Sequence, residues 1–446
     1  MADPADIVKA ILARGVATGA ELRRGLKVSQ PTLSRVIARL GEQIVRIGST
    51  RNARYALRRE LPQIGSSWPI FEINEEGQAS LLGRVHALAR DQYWFAATAP
   101  QHSELSDGLP FFLQDLWPQG FIGRTVSKRF PELGLPERIN DWNDSHALTY
   151  LSQRGDDSIG NLLIGDESLR RYLKQFQADR PYVDLRDREN QYPVLADSAI
   201  AGTPPGSSAG GEHPKFTVEI GNRDHVRHVL VKFSPMRTDR VSQRWSDLLV
   251  AEHIAGKSLG VVGVPATATE LVVAGNRMFL EVERFDRSGI RGRIGIASLA
   301  AIADHHIGRR DNWMAAAESL KSMGRISAKD AESIRRAATF GQLIGNSDMH
   351  FGNLSFFGSL GRDFSLAPIY DMLPMMYAPV AGDELPDRQF ETALPGAGNL
   401  SIWKSMAEAA QDYWRKVASH ELISAEFAAL ASANGEAVLR TRSLVP

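Results

Sequence analysis

Nine residues, Gly345-Asn346-Ser347-Asp348-Met349-His350-Phe351-Gly352-Asn353, separate two strongly apolar stretches. Before them, Ala331, Ile334, Ala338, Phe340, Leu343 and Ile344 mark the buried side of a helix that stops near Gly345. After them, Leu354–Phe357 reads as a short apolar strand. Asp348, His350 and Asn353 fall in the loop between them. Phosphoryl transfer needs a carboxylate to accept the substrate hydroxyl's proton and oxygen ligands for magnesium. In a kinase catalytic loop the base Asp precedes the metal-binding Asn by five positions, and Asp348 and Asn353 have that spacing. Asp371, within Pro368-Ile369-Tyr370-Asp371-Met372-Leu373-Pro374, is placed to be a second metal ligand. Asp, His and Asn also cap helices and turns, so any one of them alone says little. A metallohydrolase using Asp348, His350 and Asp371 competes with the kinase reading. It would want more histidines at paired spacing, and the adjacent His305-His306 point in different directions.

The segments upstream come in kinase order. Residues 202–215 are rich in Gly, Pro and Ser and lead into the strand Phe216–Ile220. Glycines there let backbone amides approach phosphate oxygens. The next strand, Val226–Phe233, carries Lys232 near its end, where a lysine can pair with those phosphates. A helix over about 242–257 bears Asp247 and Glu252, and the sequence leaves open which of them partners Lys232. The strand pair Thr269–Ala274 and Arg277–Glu283 then runs into Arg284-Phe285-Asp286-Arg287, a hinge whose backbone can meet adenine.

The chain has 446 residues, too many for one core, and its net charge of zero hides an asymmetry. Residues 1–60 hold twelve Lys and Arg against five Asp and Glu, a net of +7, which leaves −7 for the remainder. Such a basic module points to a polyanionic partner of its own. Its pattern predicts helices ending at Gly15 and Arg24, then a third helix capped by Ser29 with Pro31 in its first turn. Strands Gln43–Ile47 and Arg54–Leu57 would follow as a basic hairpin. This arrangement resembles a winged helix-turn-helix, whose third helix enters the major groove of double-stranded DNA. Gln30, Thr32, Ser34 and Arg35 would read bases, and Arg39, Arg51 and Arg54 would touch phosphate. A protein-binding three-helix module is the alternative.

Leu61 to Pro69 reads as a linker. Residues 70–195 mix strands (Phe71–Ile73, Tyr93–Ala97) with a helix over Leu169–Phe176. Asp156, Asp157 and Asp166 read as a solvated acidic loop, since calcium loops need denser ligand spacing. The chain has no cysteine, which excludes disulfides, thiolate zinc sites and cysteine nucleophiles. With an acidic, non-apolar start and no membrane-length apolar run, it reads as cytoplasmic.

Taken together, Ser208 to Lys215, Lys232, Glu283–Arg287, Gly345–Asn353 and Tyr370-Asp371 resemble the HipA family of bacterial serine/threonine kinase toxins. The fused N-terminal module looks like the YjjJ branch of that family. The resemblance implies ATP and Mg2+ as cofactors, Asp348 as base, Asn353 and Asp371 on magnesium, and His350 shaping the loop. It also implies Ser208, Gly210, Gly211, Lys215 and Lys232 around the phosphates and Glu283 and Phe285 presenting backbone to adenine. Ser208, or its neighbour Ser207, would be autophosphorylated. The loop departs from the family's usual form, because Gly210-Gly211-Glu212-His213 stands where alanine and glutamine are common. Family substrates include aminoacyl-tRNA synthetases, so a protein substrate is implied.

The expected fold is α+β in four parts. A winged helix-turn-helix (1–64) precedes a small α/β subdomain (65–195), a β-rich kinase lobe (196–287) and a helical lobe (288–446). A dimer is compatible with this plan, and no membrane contact is expected. Two other functions fit some of the motifs: a small-molecule phosphotransferase, and a transcription regulator whose kinase-like body senses a ligand.

Overall fold

The computed structural model describes residues 3–48, 52–175, 182–202, 213–222, 225–358, 363–380, 384–396 and 398–445. Ser207, Ser208, Gly210, Gly211 and Arg51 therefore lie outside the described residues.

Asp3 and Thr18 each start a helix by accepting a backbone N–H that the helix leaves unpaired. Their helices, α1 (Pro4–Leu12) and α2 (Gly19–Leu26), pack with α3 (Gln30–Leu40) around Val8, Leu12, Leu22, Leu33 and Leu40. Ser29 occupies the cap position of α3 without making the cap bond; its hydroxyl meets that of Thr32 at 3.1 Å instead. Strands β1 (Ala17–Thr18), β2 (Ile44–Ile47) and β3 (Arg54–Leu57) form an antiparallel sheet in the order β1-β3-β2. Two residues carry no periodic signal, so β1 has no counterpart in the sequence reading.

The expected linker from Leu61 to Pro69 is ordered and partly core. Leu61 and Trp68 are buried, and β4 already begins at Ser67 (Ser67–Ile73). Pro69 is tolerated in it because β8 (Leu162–Ile164) pairs with β4 only at residues 70–72, so no bond is lost on that side. With β5 (Ala79–Ala87), β6 (Gln92–Ala97) and β7 (Glu104–Asp107) these strands make a sheet in the order β7-β6-β5-β4-β8. Helices α4 (Phe111–Gln114), α5 (Gly120–Arg129), α6 (Asp144–Arg154) and α7 (Gly165–Gln175) complete this unit. The sheet of the N-terminal unit docks on it: Val45, Ile47 and Ala56 share a cluster with Leu88, Trp94 and Leu105. Arg59, counted above among the basic residues, is used internally, bonding Leu88 O, Ser145 Oγ and Tyr93 Oη at 3.0–3.2 Å.

Of the acids expected in a solvated loop, Asp157 is exposed but Asp156 is not. Asp156 is buried and accepts from Arg171 Nε at 2.9 Å and Gln175 Nε2 at 2.5 Å. Asp157 accepts from Arg287 Nη2 at 3.0 Å. Nearby arginines, invisible in a local reading, draw both carboxylates into ion pairs. Among the described residues no cluster of His, Asp and Glu is arranged to hold a metal by itself.

Next, α8 (Arg188–Ala201) covers one face of the antiparallel sheet β11-β12-β10-β9, formed by β9 (Lys215–Gly221), β10 (Val226–Phe233), β11 (Thr269–Ala274) and β12 (Arg277–Glu283). Val183, Tyr192 and Ala196 share a core with Ile220, Val229, Val231 and Phe279. The long helix α9 (Arg240–Val261) lies on the opposite face, where Met278, Leu280 and Val282 join the main core. After the short ribbon β13 (Arg287–Ser288) and β14 (Gly292–Arg293), β15 (Ile296–Ser298) leads into α10 (Leu299–His306), α11 (Trp313–Ser322) and α12 (Ala328–Leu343). β15 pairs with β16 (Ser355–Phe357), which pairs with β17 (Ser365–Leu366). The chain ends in α13 (Leu400–Ser419) and α14 (Ala425–Leu444), and Trp403, Tyr413 and Trp414 of α13 are fully buried. His305 and His306 serve packing: His305 stacks on Phe111 at 4.3 Å, and His306 meets the Phe364 ring. No helix among the described residues is long and apolar enough to cross a membrane.

Gly292 fixes how β14 meets the turn after β4, because a Cβ there would lie 1.8 Å from Glu75 O. Gly292→Ala should therefore destabilise the chain by about 1–3 kcal/mol through overpacking. An unchanged denaturation midpoint would show that this contact is not part of the fold.

Candidate active site

Strand β10 turns Lys232 away from the α8-covered face, toward α9. There its Nζ is 2.6 and 2.8 Å from the two carboxylate oxygens of Glu252, and 2.5 Å from Asp371 Oδ1. Lys232 is 3% exposed and Glu252 4%, while the Asp371 side chain is 29% exposed. Burial pulls the Lys232 pKa down, but Asp371 and Glu252 outweigh it and hold the ammonium charged. Burial pushes Asp371 up, yet Lys232 and Lys215 bring it down to about 2. For Glu252 burial dominates and the pKa rises. Lys215 stands directly across from Lys232 in the β9–β10 register.

Of the two acids on α9, Glu252 is the partner. Asp247 instead accepts from Ser424 N at 2.9 Å, Ser424 Oγ at 2.6 Å and Gln243 Nε2 at 3.1 Å, which ties α14 to α9. Helical spacing alone does not say which of two acids five residues apart faces a strand not yet placed.

The loop after α12 is held by its own side chains. Gly345 takes φ 72° and turns the chain out of the helix. Asn346, buried, accepts from Asp348 N at 3.0 Å and donates to the Asp371 carbonyl at 3.3 Å. Asn353 donates its Nδ2 to the Asp348 carbonyl at 2.9 Å, which leaves its Oδ1 available. His350 accepts from Gly352 N on Nδ1 at 3.0 Å, and its carbonyl accepts from Trp313 Nε1 at 3.1 Å. Tyr370 Oη donates to Gly352 O at 2.8 Å and contacts Ser355 Oγ at 2.8 Å. Asp348 and His350 are exposed, whereas Asn353 is buried. Asp371 itself takes φ 54°, a left-handed conformation uncommon outside glycine but tolerated by Asp better than by most side chains. The sequence gives Asn346 no role of its own and names Tyr370 only as part of the Tyr370-Asp371 motif. A buried Asn two residues before a loop acid has an Asx-turn signature, which was the available clue.

At the hinge, Glu283 N donates to Ala268 O at 2.9 Å and its carbonyl accepts from Thr267 Oγ1 at 2.9 Å. Both backbone groups of Glu283 are therefore engaged. The Phe285 ring packs against Phe357 and Tyr370. Its backbone N–H and carbonyl take no partner among the described residues.

Comparison with known proteins gives this geometry its family. A HipA-like C-terminal domain matches residues 207–434, and a YjjJ-like toxin middle domain matches residues 64–173. Toxin YjjJ of Escherichia coli (strain K12) is 36% identical over 420 residues, covering 94% of each chain. The chain belongs to the HipA/YjjJ toxin family. Membership makes it an enzyme of the serine/threonine kinase type. Among solved structures it is similar to the HipA of Shewanella oneidensis MR-1 in a complex with HipB and operator DNA. That likeness has 16% identity, 84% of this chain and 97% of that one covered, and a TM-score of 0.46. The Helicobacter pylori proinflammatory kinase CtkA shows 13% identity over 51% of this chain and 90% of its own, with a TM-score of 0.36.

The two acids of α9 should separate in kinetics. Glu252→Gln leaves Lys232 with a single carboxylate and should raise KM for ATP about tenfold, the scale of one charged hydrogen bond. Asp247→Asn should lower stability and leave KM for ATP unchanged. Equal kinetic effects of the two would contradict the assignment of Glu252.

Proposed function

We propose that the chain is an ATP- and Mg2+-dependent protein serine/threonine kinase that phosphorylates a protein target and binds double-stranded DNA through residues 1–64. The observation that carries the kinase part is Lys232, buried and held between Glu252 and Asp371, whose carbonyl is bonded by Asn346 at the start of the Asp348–Asn353 loop.

The residues present suit a nucleotide and a hard cation. Asn353 Oδ1 and the Asp371 carboxylate are oxygen donors, the ligand type magnesium takes, and two protein donors suffice when phosphate and water supply the others. Bound there, the ion would neutralise charge developing on the transferred phosphoryl group. Lys232 would pair with the phosphates, with Glu252 keeping its ammonium in place. Lys215, opposite it, adds a second cation. Phe285, with free backbone groups, is the better of the two hinge residues to meet adenine, and Glu283 would only frame that position. Asp348, exposed at the mouth, would accept the proton of the incoming serine or threonine hydroxyl. His350 would keep the loop's shape rather than move a proton. Ser207 or Ser208 would be the self-modified residue. An aminoacyl-tRNA synthetase is one substrate this reading admits.

For the DNA part, Gln30, Ser34 and Arg35 are exposed on α3, Thr32 is half-buried, and Arg54 is exposed on β3. Arg39 is paired with Asp3 on the surface, so in this reading it would exchange that partner for a phosphate. Three helices followed by a strand pair support the winged helix-turn-helix assignment.

Two experiments test these halves. Incubation of the full chain with Mg-ATP should add phosphate to Ser207 or Ser208, read by mass spectrometry, and Asp348→Asn should reduce the rate at least about a hundredfold. Phosphorylation that persists in that variant would overturn the assignment of the base. In a salt-controlled DNA-binding assay of the full chain, Arg35→Ala should relax sequence preference by about tenfold. Arg54→Ala should weaken all sequences alike and lower the salt slope by about one. Binding indifferent to both changes would reject the interface.

A further inference from the structure

Between Tyr377 and α13 the chain has a stretch whose backbone is almost unused. From Leu385 to Gly396 it runs without a helix, turn or bend, and none of these residues takes a positive φ. Among the described residues, the only backbone group from Asp387 to Leu394 with a hydrogen-bond partner is the Ala393 carbonyl, which accepts from Trp403 Nε1 at 2.7 Å. Buried backbone groups are nearly always paired, so a row of unpaired ones faces water. Phe390 and Thr392 are half-buried while Gln389 and Glu391 are exposed, the period-two pattern of a strand. Pro386 and Pro395, which have no N–H to donate, bound the stretch. It has the form of an edge strand without a neighbour.

Its position is fixed and close to the loop that carries Asp348. The Phe390 ring packs on Trp414 with centroids 5.8 Å apart. It also stands 3.6 Å from the point that a Cβ on Gly345 would occupy. Further on, Asn399 Nδ2 donates to Thr339 Oγ1 at 3.1 Å and ties the exit to α12. Gly345 precedes Asp348 by three residues, a span of at most about 11 Å. The strand and the exposed Asp348 are therefore separated by only a few residues' length of extended chain.

We propose that residues 387–394 are a substrate-docking edge: an extended segment of the protein substrate pairs with them as an added β-strand and so carries its serine or threonine to Asp348. The inference rests on the kinase reading and names the form of its substrate. That form is a loop or tail that can lie extended, without proline at the paired positions, rather than a helix. Main-chain hydrogen bonds supply the affinity, and Leu394, 72% exposed, offers an apolar contact at the far end.

Successive N–H groups of a strand point to opposite sides, so a partner strand uses every second residue. The full-length chain is assayed with Mg-ATP and the peptide it phosphorylates best from a random-sequence library with a fixed central serine. Arg388→Pro, Gln389→Pro and Glu391→Pro each remove one N–H, with Ala at the same positions as controls and melting temperatures alongside. The expected result is a peptide KM raised about fivefold, the scale of one lost hydrogen bond. The rise should fall either on Gln389→Pro and Glu391→Pro together or on Arg388→Pro alone, with kcat, KM for ATP and the Ala variants unchanged. Equal rises for all three prolines, an Ala variant as damaging as its proline, or no rise in any would overturn the proposal. So would a changed oligomeric state in place of a peptide effect, in favour of pairing between two copies of this chain. A wild type that phosphorylates itself but no peptide would overturn the proposal and leave the kinase reading standing; no transfer from ATP to any acceptor would overturn both. Should the proline variants fail to fold, the wild type decides with the same peptide N-methylated at one backbone position at a time. Weakening at alternate positions is expected, and weakening at all or at none would overturn the proposal.

Discussion

Lys232 is where the kinase body is joined. It leaves a strand of the first lobe, meets Glu252 on α9, and reaches Asp371 on a loop of the helical part. An ammonium buried this deeply costs several kcal/mol in lost hydration, which only closely placed carboxylates offset. Removing one partner of such a group costs about 3–5 kcal/mol, whereas a surface ion pair contributes less than about 1. The surrounding structure is arranged to deliver those carboxylates. Asp239 starts α9 with a capping box, and the helix carries Glu252 under β10. Asn346 holds the Asp371 carbonyl, and Ile369 bonds Pro265 O and Thr267 N, so the loop is fixed to the segment before β11. This arrangement also holds Asp371 in its left-handed backbone conformation.

A second set of charges fixes the hinge from outside the kinase body. Asp286 accepts from Arg284 and Arg287 and from Gly160 N at 2.9 Å. Arg287 also donates to Ser158 O at 2.8 Å and to Asp157. The residues around Gly160 belong to the middle unit, which makes that unit part of the hinge's geometry rather than a spacer. The same unit carries the N-terminal sheet through Leu88, Trp94 and Leu105. Contacts therefore run without a gap from the basic module to the hinge.

Much of this was legible in the sequence because its signals are local. The buried face of α12, the strands Thr269–Ala274 and Arg277–Glu283, and the order of Lys232, Asp348, Asn353 and Asp371 all follow from periodicity and spacing. What was not legible depends on distant partners. Nothing near Glu252 distinguishes it from Asp247 until β10 is placed above one and α14 beside the other. Asp156 looks solvated until Arg171 and Gln175 enclose it. The 61–69 segment has a linker's composition, and only pairing with β5 makes its end, Ser67–Pro69, part of a strand.

The charge asymmetry of the chain takes a different meaning once its acids are located. The −7 outside the first sixty residues suggests an acidic surface facing a basic module. Yet Glu252, Glu281, Asp286, Asp247 and Asp156 are all buried, each beside a basic or hydroxyl-bearing partner. Charges neutralised in the interior make little external field, so part of the acidic excess does not act on a partner at all. In the basic module the balance is reversed. Arg35 and Arg54 are exposed, and α1 and α3 build their core from aliphatic residues without drawing on those cations. The asymmetry is thus one of location more than of sum: acids lie inside, where they hold Lys232 and the Arg284–Arg287 segment, and cations of the first module are left on the surface.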